Sequence, residues 1–460
     1  MKVNNGQLFA TFTARFAIRS REGDIYPCER PGLPHEGLKK IAQLFHAQKG
    51  TPMTWFLDWT AAQECGRLFR EWHEEYGDEV ALWLDEFGPK TWLKELGMEF
   101  KGQKSLHYSL EEQRQMIRFV RETLEHEAYG PVKTAAGLWF NEVTVQALIE
   151  EGFTGLWGYC WHQENVDEAT HRGCPWYPFY PSATNYKIPA QDRSGIVGVH
   201  WFITDMTNAH FMCENHFIGF VRVTPHPGEE DRSGFARDGS YHTHRTLVEW
   251  DRQRCWNDFV YTTFHLECDW VSGQWNCPPG VKHEDRVVDL FKSYLHEMER
   301  MDDVQIVTIG EFTDWFRRQY EETPTQYCYF RDTLQERRLW FKDRAYGDTV
   351  FYGSTRRKLV FSRERGTLPI EVLDYTAQHR STPSERYPGV VIGPDDFMNM
   401  GYLYSFGIWL DDEKAEWRAK LELKSAIAFD EFGVMFWETN LPSCVPSASI
   451  ATGENVRELK

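Results

Sequence analysis

The sequence has 460 residues, of which 41% are hydrophobic and 26% charged; that balance belongs to a globular chain rather than a disordered or fibrous one. Its length suits two domains of about 100–250 residues each. A formal charge of −18 argues against nucleic acid or an anionic membrane surface as partner, because phosphates would be repelled rather than neutralised.

Aromatic residues make up 15% of the chain and include 19 Trp, more than a core requires. The surplus fits either large aromatic packing or stacking on flat apolar faces. No window approaches the roughly 18 consecutive apolar residues of a membrane span, and the strand-like run Leu8–Ile18 begins soon after Met1. No leader peptide is therefore expected and the chain reads as cytoplasmic; a periplasmic or secreted protein shorn of its leader would look the same. The ten cysteines are scattered without a Cys-x-x-Cys pair, so buried free thiols are expected, with neither a zinc site nor a disulfide framework and no cofactor.

In chain order, LFATFTARFAI (8–18) alternates apolar with polar or small residues and predicts a strand. The stretch GLKKIAQLFHAQKG follows, with Leu38, Ile41, Leu44 and Phe45 on one helical face and a stop at Gly50. Next come the strand TPMTWFLDW, a helix from Ala61 to Tyr76 closed by Gly77, and the strand EVALWLDEFG. Strand, helix, strand, helix, strand within 90 residues predicts parallel strands joined by right-handed crossovers.

The rhythm continues beyond a loop at 97–107. A long amphipathic helix opens with the capping pattern Ser109-Leu110-Glu111-Glu112. After it come TAAGLWFNE as strand, VTVQALIEEG as helix and FTGLWGYCW as strand. Residues 162–190, rich in Pro, Tyr and Trp, suit a long loop over a barrel mouth. GIVGVHWFITD and DFVYTTFHLECDW predict two more strands, the helix RVVDLFKSYLHEMERM follows, and the strand VQIVTIGEF closes the series near Tyr320. Residues 206–254 between those two strands are weakly patterned. After about residue 325 the runs RRLWFKD, DTVFYG, KLVFS, PIEVLDY and YLYSFGIWL predict an antiparallel sandwich, followed by a charged stretch from Asp411 to Lys424. The expected architecture is α/β: a distorted (β/α)7 barrel over residues 1–325 and a β-sandwich domain over 326–460.

In a parallel barrel the reactive groups stand at the C-terminal ends of the strands. Glu142 follows the expected strand Ala135–Phe140 and opens a helix. It is a candidate nucleophile or base, or simply an acidic residue favoured by the helix dipole. His265, Glu267 and Asp269 alternate along FHLECDW and share one strand face, opposite Phe264, Leu266 and Cys268. Three ionisable groups on one face of a core strand are costly unless they are used or paired. Asp85 and Glu86 end the third strand, and His200 and Asp205 flank another. His242 and His244 have a spacing open to metal, although surface histidine is the plainer reading.

The segment GLWFNEVTVQALIEEGFTGLW (137–157) resembles glycoside hydrolase family 57, in which a Gly-x-Trp-x-x-Glu strand end precedes a helix and a Gly-aromatic strand. The resemblance implies that Glu142 is the nucleophile, with Trp139 beside the sugar. TTFHLECDWVSGQW and VTIGEF are similar to the closing part of that barrel, where a strand with Asp-x-Glu is followed by a long helix and a Thr-x-x-Glu strand. Glu267 matches the second carboxylate; His265 stands at the position of the family's general acid, and Asp269, on the same expected face, is the nearest substitute. The family's histidine motif on strand one is replaced by Thr13 and Arg15.

The layout is also similar to polysaccharide deacetylases, but RFAIRS and WLDEFG stand where those enzymes carry an Asp-Asp pair and a His-x-x-x-His metal motif, so a zinc-dependent deacetylase is the less expected reading. The chain further resembles uncharacterised gut-bacterial families with this barrel and a C-terminal β-domain.

What these likenesses imply is a carbohydrate-active protein whose partner is an oligosaccharide or polysaccharide. The expectation is a retaining glycosidase or transglycosidase, with a glycan-binding pseudoenzyme as its rival. Trp139, Trp270, Asp85, Glu86, His200, Asp205 and Arg15 are the expected substrate contacts. In the second domain, Trp340, Tyr352, Tyr402, Tyr404 and Trp409 are either core residues or sugar contacts.

Overall fold

The computed structural model describes residues 6–18, 35–47, 51–84, 90–101, 105–137, 140–159, 174–183, 185–191, 193–200, 256–268, 303–330, 349–362, 369–375 and 402–405, with scattered positions between 247 and 301. In chain order the first elements are β1 (Gln7–Phe16), α1 (Glu36–His46), β2 (Thr54–Leu57), α2 (Trp59–Tyr76), β3 (Glu79–Trp83), α3 (Lys90–Glu95) and α4 (Leu110–Glu127). They are followed by β4 (Thr134–Ala136), α5 (Glu142–Glu150), β5 (Gly155–Tyr159), β6 (Val197–His200), β7 (Phe259–Glu267), β8 (Val304–Ile306) and α6 (Ile309–Gln319).

All eight strands are parallel and form a nearly closed barrel, seven of them in the order β6-β5-β4-β3-β2-β1-β7 and β8 off this path beside β1. One edge of β1 pairs with β7 from Gln7 to Arg15. The other edge is shared: β8 pairs with Leu8–Ala10 and β2 with Thr13–Phe16. Strand β8 thus lies end to end with β2 along β1.

Alternation along β1 sorts its side chains into two buried layers. Leu8, Ala10, Phe12, Ala14 and Phe16 join the helix-facing cluster with Leu38, Ile41 and Phe45 of α1, Phe69 of α2 and Met116, Ile117 and Val120 of α4. The intervening Phe9, Thr11, Thr13 and Arg15 are buried on the lumen side. Helix ends follow local rules. Asp58 caps α2 by accepting from the Ala61 N–H, Gly77 closes it at φ 79°, and Ser109 and Glu112 form the expected capping box of α4.

The segment VQIVTIGEF departs from expectation, because only Val304–Ile306 is strand and Ile309 begins a helix. The physical reason lies in Thr308-Ile309-Gly310-Glu311. The Thr308 hydroxyl accepts from the Glu311 N–H while the Glu311 carboxylate accepts from the Thr308 N–H, so Thr-x-x-Glu is a capping box here. Helix α6 then plugs the N-terminal end of the barrel. Phe312 packs 5.3 Å from Phe9 and 4.2 Å from Tyr261, centroid to centroid, and Phe316 packs 5.7 Å from Phe259. Strand β4 is also shorter than expected, ending at Ala136 rather than Phe140.

Beyond the barrel, β9 (Gln326–Phe330), β10 (Thr349–Gly353), β11 (Arg357–Ser362), β12 (Pro369–Asp374) and β13 (Tyr402–Ser405) form one antiparallel sheet in sequence order. Strand β9 precedes the first run read from the sequence. Tyr352 is buried and lies 5.4 Å from the Tyr327 ring, a core position. The run RRLWFKD with Trp340, Trp409, and the stretch Asp411–Lys424 lie outside the described residues.

Candidate functional site

At the N-terminal end of the lumen the three strand-opening residues Thr54, Glu79 and Thr134 meet. The Glu79 carboxylate accepts from the Thr54 hydroxyl (2.9 Å), the Thr134 hydroxyl and the Gly310 N–H (2.9 Å). Burial pushes the Glu79 carboxyl above its ordinary value, and these three bonds oppose that shift without overcoming it. The Thr54 hydroxyl also accepts from the Ile309 N–H. Two of the backbone donors at the start of α6 are therefore satisfied by the barrel floor, which ties the plug to the strands.

The C-terminal end is built differently. Arg15 pairs along the backbone with Phe56 of β2 and Glu267 of β7. Its guanidinium carbon lies 5.5 Å from the centroid of the Trp83 ring, within cation–π range. Trp157 of β5 packs 4.4 Å from Phe56 and 4.6 Å from His265. His265 is 1% exposed. Its Nδ1 lies 2.9 Å from the Thr13 hydroxyl, and its ring stacks on Phe56 at 5.7 Å and 20°. One cation, one imidazole and three large aromatic rings thus share the lumen next to the strand ends that serve catalysis in such barrels.

The sequence-derived candidates separate as follows. Arg15 and His265 are brought together on adjacent strands, with Glu267 ending β7 at the level of Arg15. Phe264, Leu266 and Cys268 lie in the helix-facing layer, opposite the lumen face that carries His265. Glu142 is the first residue of α5, half-buried, with Asn141 capping the helix through the Thr144 N–H at 3.0 Å. His200 ends β6 on the face opposite Val197 and Val199, and its Nε2 donates to the Pro175 carbonyl. Burial pushes its pKa down to about 4, so it stays neutral at physiological pH. Asp85, Glu86, Trp139, Asp205, Asp269, Trp270, His242 and His244 lie outside the described residues.

Three residues of this site, Phe56, Trp83 and Trp157, were not singled out from the sequence. Their signal was present, since each is a bulky aromatic near the end of a predicted strand. Alternation alone did not say which face was the lumen, because both faces of these strands are apolar. Among the described residues no three His, Cys, Asp or Glu side chains converge to hold a metal ion, and no helix is long and apolar enough to cross a membrane.

Residues 29–335 match the family described as Domain of Unknown Function with solved-structure structure (DUF3863), and the chain belongs to that family. No curated protein matches the sequence. Among solved structures, a Parabacteroides distasonis protein provisionally named a glycoside hydrolase/deacetylase superposes with a TM-score of 0.65 at 18% identity, covering 92% of this chain and 99% of its own. That likeness shows a shared fold, of the type to which both names are attached. A Mycobacterium smegmatis protein provisionally named a polysaccharide deacetylase gives a TM-score of 0.40 at 13% identity over 70% of this chain and 94% of its own. The 4-alpha-glucanotransferase of Thermococcus litoralis gives 0.38 at 10% identity over 67% of this chain and 40% of its own.

Proposed function

We propose that this member of the DUF3863 family is carbohydrate-active and takes an oligosaccharide or polysaccharide at the C-terminal mouth of its barrel. The observation that carries the reading is the lumen layer of Arg15, Phe56, Trp83, Trp157 and His265, which sets flat apolar faces beside buried hydrogen-bonding groups. Sugar rings present the complementary surface, an apolar face edged with hydroxyls, and sites of this kind combine mostly apolar walls with a few placed polar groups.

The finer reading is a retaining glycosidase or transglycosidase of family 57 character, with residues 1–325 as barrel and 326–460 as a sandwich domain. Glu142 attacks the anomeric carbon while an acid from Glu267 or Asp269 protonates the departing oxygen; that group then takes a proton from the water or acceptor that resolves the glycosyl-enzyme. Trp139, Trp270, Asp85, Glu86, Asp205 and Arg15 are the proposed substrate contacts, whereas His200, turned from the lumen face to the Pro175 carbonyl, is not among them. Retention needs the two carboxyl groups about 5–5.5 Å apart. Removal of an acetyl group from a glycan has equal standing at the same mouth, since the name given to the P. distasonis structure joins both chemistries.

A second reading, glycan binding without turnover, is favoured by one feature. His265 occupies the position of the family 57 general acid, enclosed by Phe56 and Trp157 and hydrogen-bonded to Thr13.

The deciding experiment incubates wild type and Glu142→Gln with a panel of plain and acetylated oligosaccharides, scoring reducing ends, transfer products and acetate. Hydrolysis or transfer that falls at least about 100-fold in the variant supports Glu142 as nucleophile. Acetate release without glycosidic cleavage turns the assignment to deacetylation. Saturable binding by calorimetry with no product establishes the binding reading, and neither binding nor product on any glycan removes the carbohydrate assignment.

A further inference from the structure

Strand β5 breaks its own alternation. Residues two apart on a strand share a face, yet Trp157 lies in the lumen cluster whereas Tyr159 lies in the helix-facing one. The break falls on Gly158, where the pairing with β6 shifts register between Trp157 and Tyr159 and where φ is 132°. This backbone region is open to glycine and strained for other residues. One extra residue in the strand re-aims the side chain beyond it, which is the effect of a bulge.

What lies against Gly158 gives the bulge its consequence. A Cβ built there would stand 2.0 Å from the Gly137 carbonyl oxygen and 3.3 Å from Cε1 of Phe140. Gly137 immediately follows β4 and donates its N–H to the Trp157 carbonyl at 3.2 Å. Phe140 is fully buried against Tyr159, 5.1 Å away edge to face, and Asn141 and Glu142 come next in the chain. Tyr159 itself fills space that a second glycine leaves open, since a Cβ on Gly198 of β6 would meet Cε2 of Tyr159 at 2.5 Å. Gly137 and Phe140, between β4 and α5, therefore rest on β5 through one glycine and one tyrosine.

We propose that Gly158 is a positioning residue for Glu142: by leaving room for the Gly137 carbonyl and turning Tyr159 under Phe140, it fixes Gly137 and Phe140 and through Phe140 the place where α5 presents the Glu142 carboxylate. Trp157, just before the bulge, keeps the regular alternation and faces the lumen, so the break on its C-terminal side acts on Tyr159 and on the chain packed against it. The inference rests on the reading that Glu142 acts on substrate.

The test compares wild type, Gly158→Ala, Gly77→Ala and Phe140→Leu in the full chain by hydrogen–deuterium exchange of peptides covering 137–145, together with turnover on the glycan panel. Gly77 also has a positive φ, 79°, but nothing within 4 Å of a built Cβ, so Gly77→Ala introduces backbone strain without a collision. Gly158→Ala is expected to speed exchange at Gly137 and Thr144 at least tenfold and to lower kcat at least tenfold with a smaller change in KM; Gly77→Ala does neither. Phe140→Leu, which spares the glycine, gives a smaller acceleration in the same window and serves if Gly158→Ala does not fold.

Unchanged exchange at 137–145 in Gly158→Ala, or in Phe140→Leu where only that variant folds, overturns the proposal, as does equal acceleration in Gly77→Ala. Accelerated exchange with undiminished kcat overturns the positioning role. Turnover lost in Gly158→Ala but kept in Glu142→Gln supports the seat while sinking Glu142 as nucleophile, so the two failures are distinguishable.

Discussion

At the N-terminal end of the barrel lumen the carboxylate of Glu79 is held by two threonine hydroxyls and a helix N-terminus. At the C-terminal end Arg15 and His265 are set among Phe56, Trp83 and Trp157. Both ends are lined by the same strands. The lower end spends its polar atoms on closing the barrel, because α6 must dock its unsatisfied N–H groups on something. The upper end sets a cation and an imidazole against aromatic faces, an arrangement suited to a ligand. Buried polarity on a barrel strand thus means different things according to which end of the strand carries it.

The largest effect expected from this contrast is at the mouth. Trp157 is fully buried and packs on Phe56 and His265, so Trp157→Ala should cost about 3–5 kcal/mol in chemical denaturation. A cost below about 1 kcal/mol would show that the lumen relaxes around the loss and is not packed as described.

Next comes the floor. Glu79→Ala leaves two hydroxyls and the Gly310 N–H facing one another and should cost about 2–3 kcal/mol. Glu79 also makes a pH prediction of definite sign. Its folded pKa lies above the ordinary 4.5, with burial as the main cause, so the folded state holds a proton that the unfolded chain has already released. Its favourable contribution is complete below about pH 4.5 and declines as pH rises through the folded value. Unfolding free energy measured against pH should therefore show a fall that Glu79→Gln flattens. A wild-type profile parallel to that of Glu79→Gln would mean that the three hydrogen bonds cancel desolvation, and one that rises relative to it would mean that they outweigh it.

The smallest effect tests the cation. Arg15→Lys keeps the charge but loses the planar guanidinium over Trp83, and should cost about 0.5–1 kcal/mol. A change in tryptophan fluorescence accompanying that loss would locate it at the Trp83 ring; no change in either reading removes the contact from consideration.

Much of the barrel was legible before any coordinates. The alternation of elements through the first 160 residues, the capping box at Ser109 and the stop at Gly77 are local patterns, and local patterns survive folding. The misreading of VTIGEF shows the limit of that method. Its apolar residues suit a strand as well as a helix, and the decision fell to reciprocal hydrogen bonds between Thr308 and Glu311 that a resemblance to a Thr-x-x-Glu strand obscured.

By itself the sequence determined the α/β class, the parallel strands, and the antiparallel pairing of the described strands after residue 325, because each follows from periodicity and from where turns and caps fall. Only the tertiary structure decided which face of each apolar strand is lumen, that Arg15 meets Trp83, and that Gly158 must be glycine. These depend on the register between strands far apart in the chain and on the close approach of backbone to backbone. Neither quantity is written in any local run of residues.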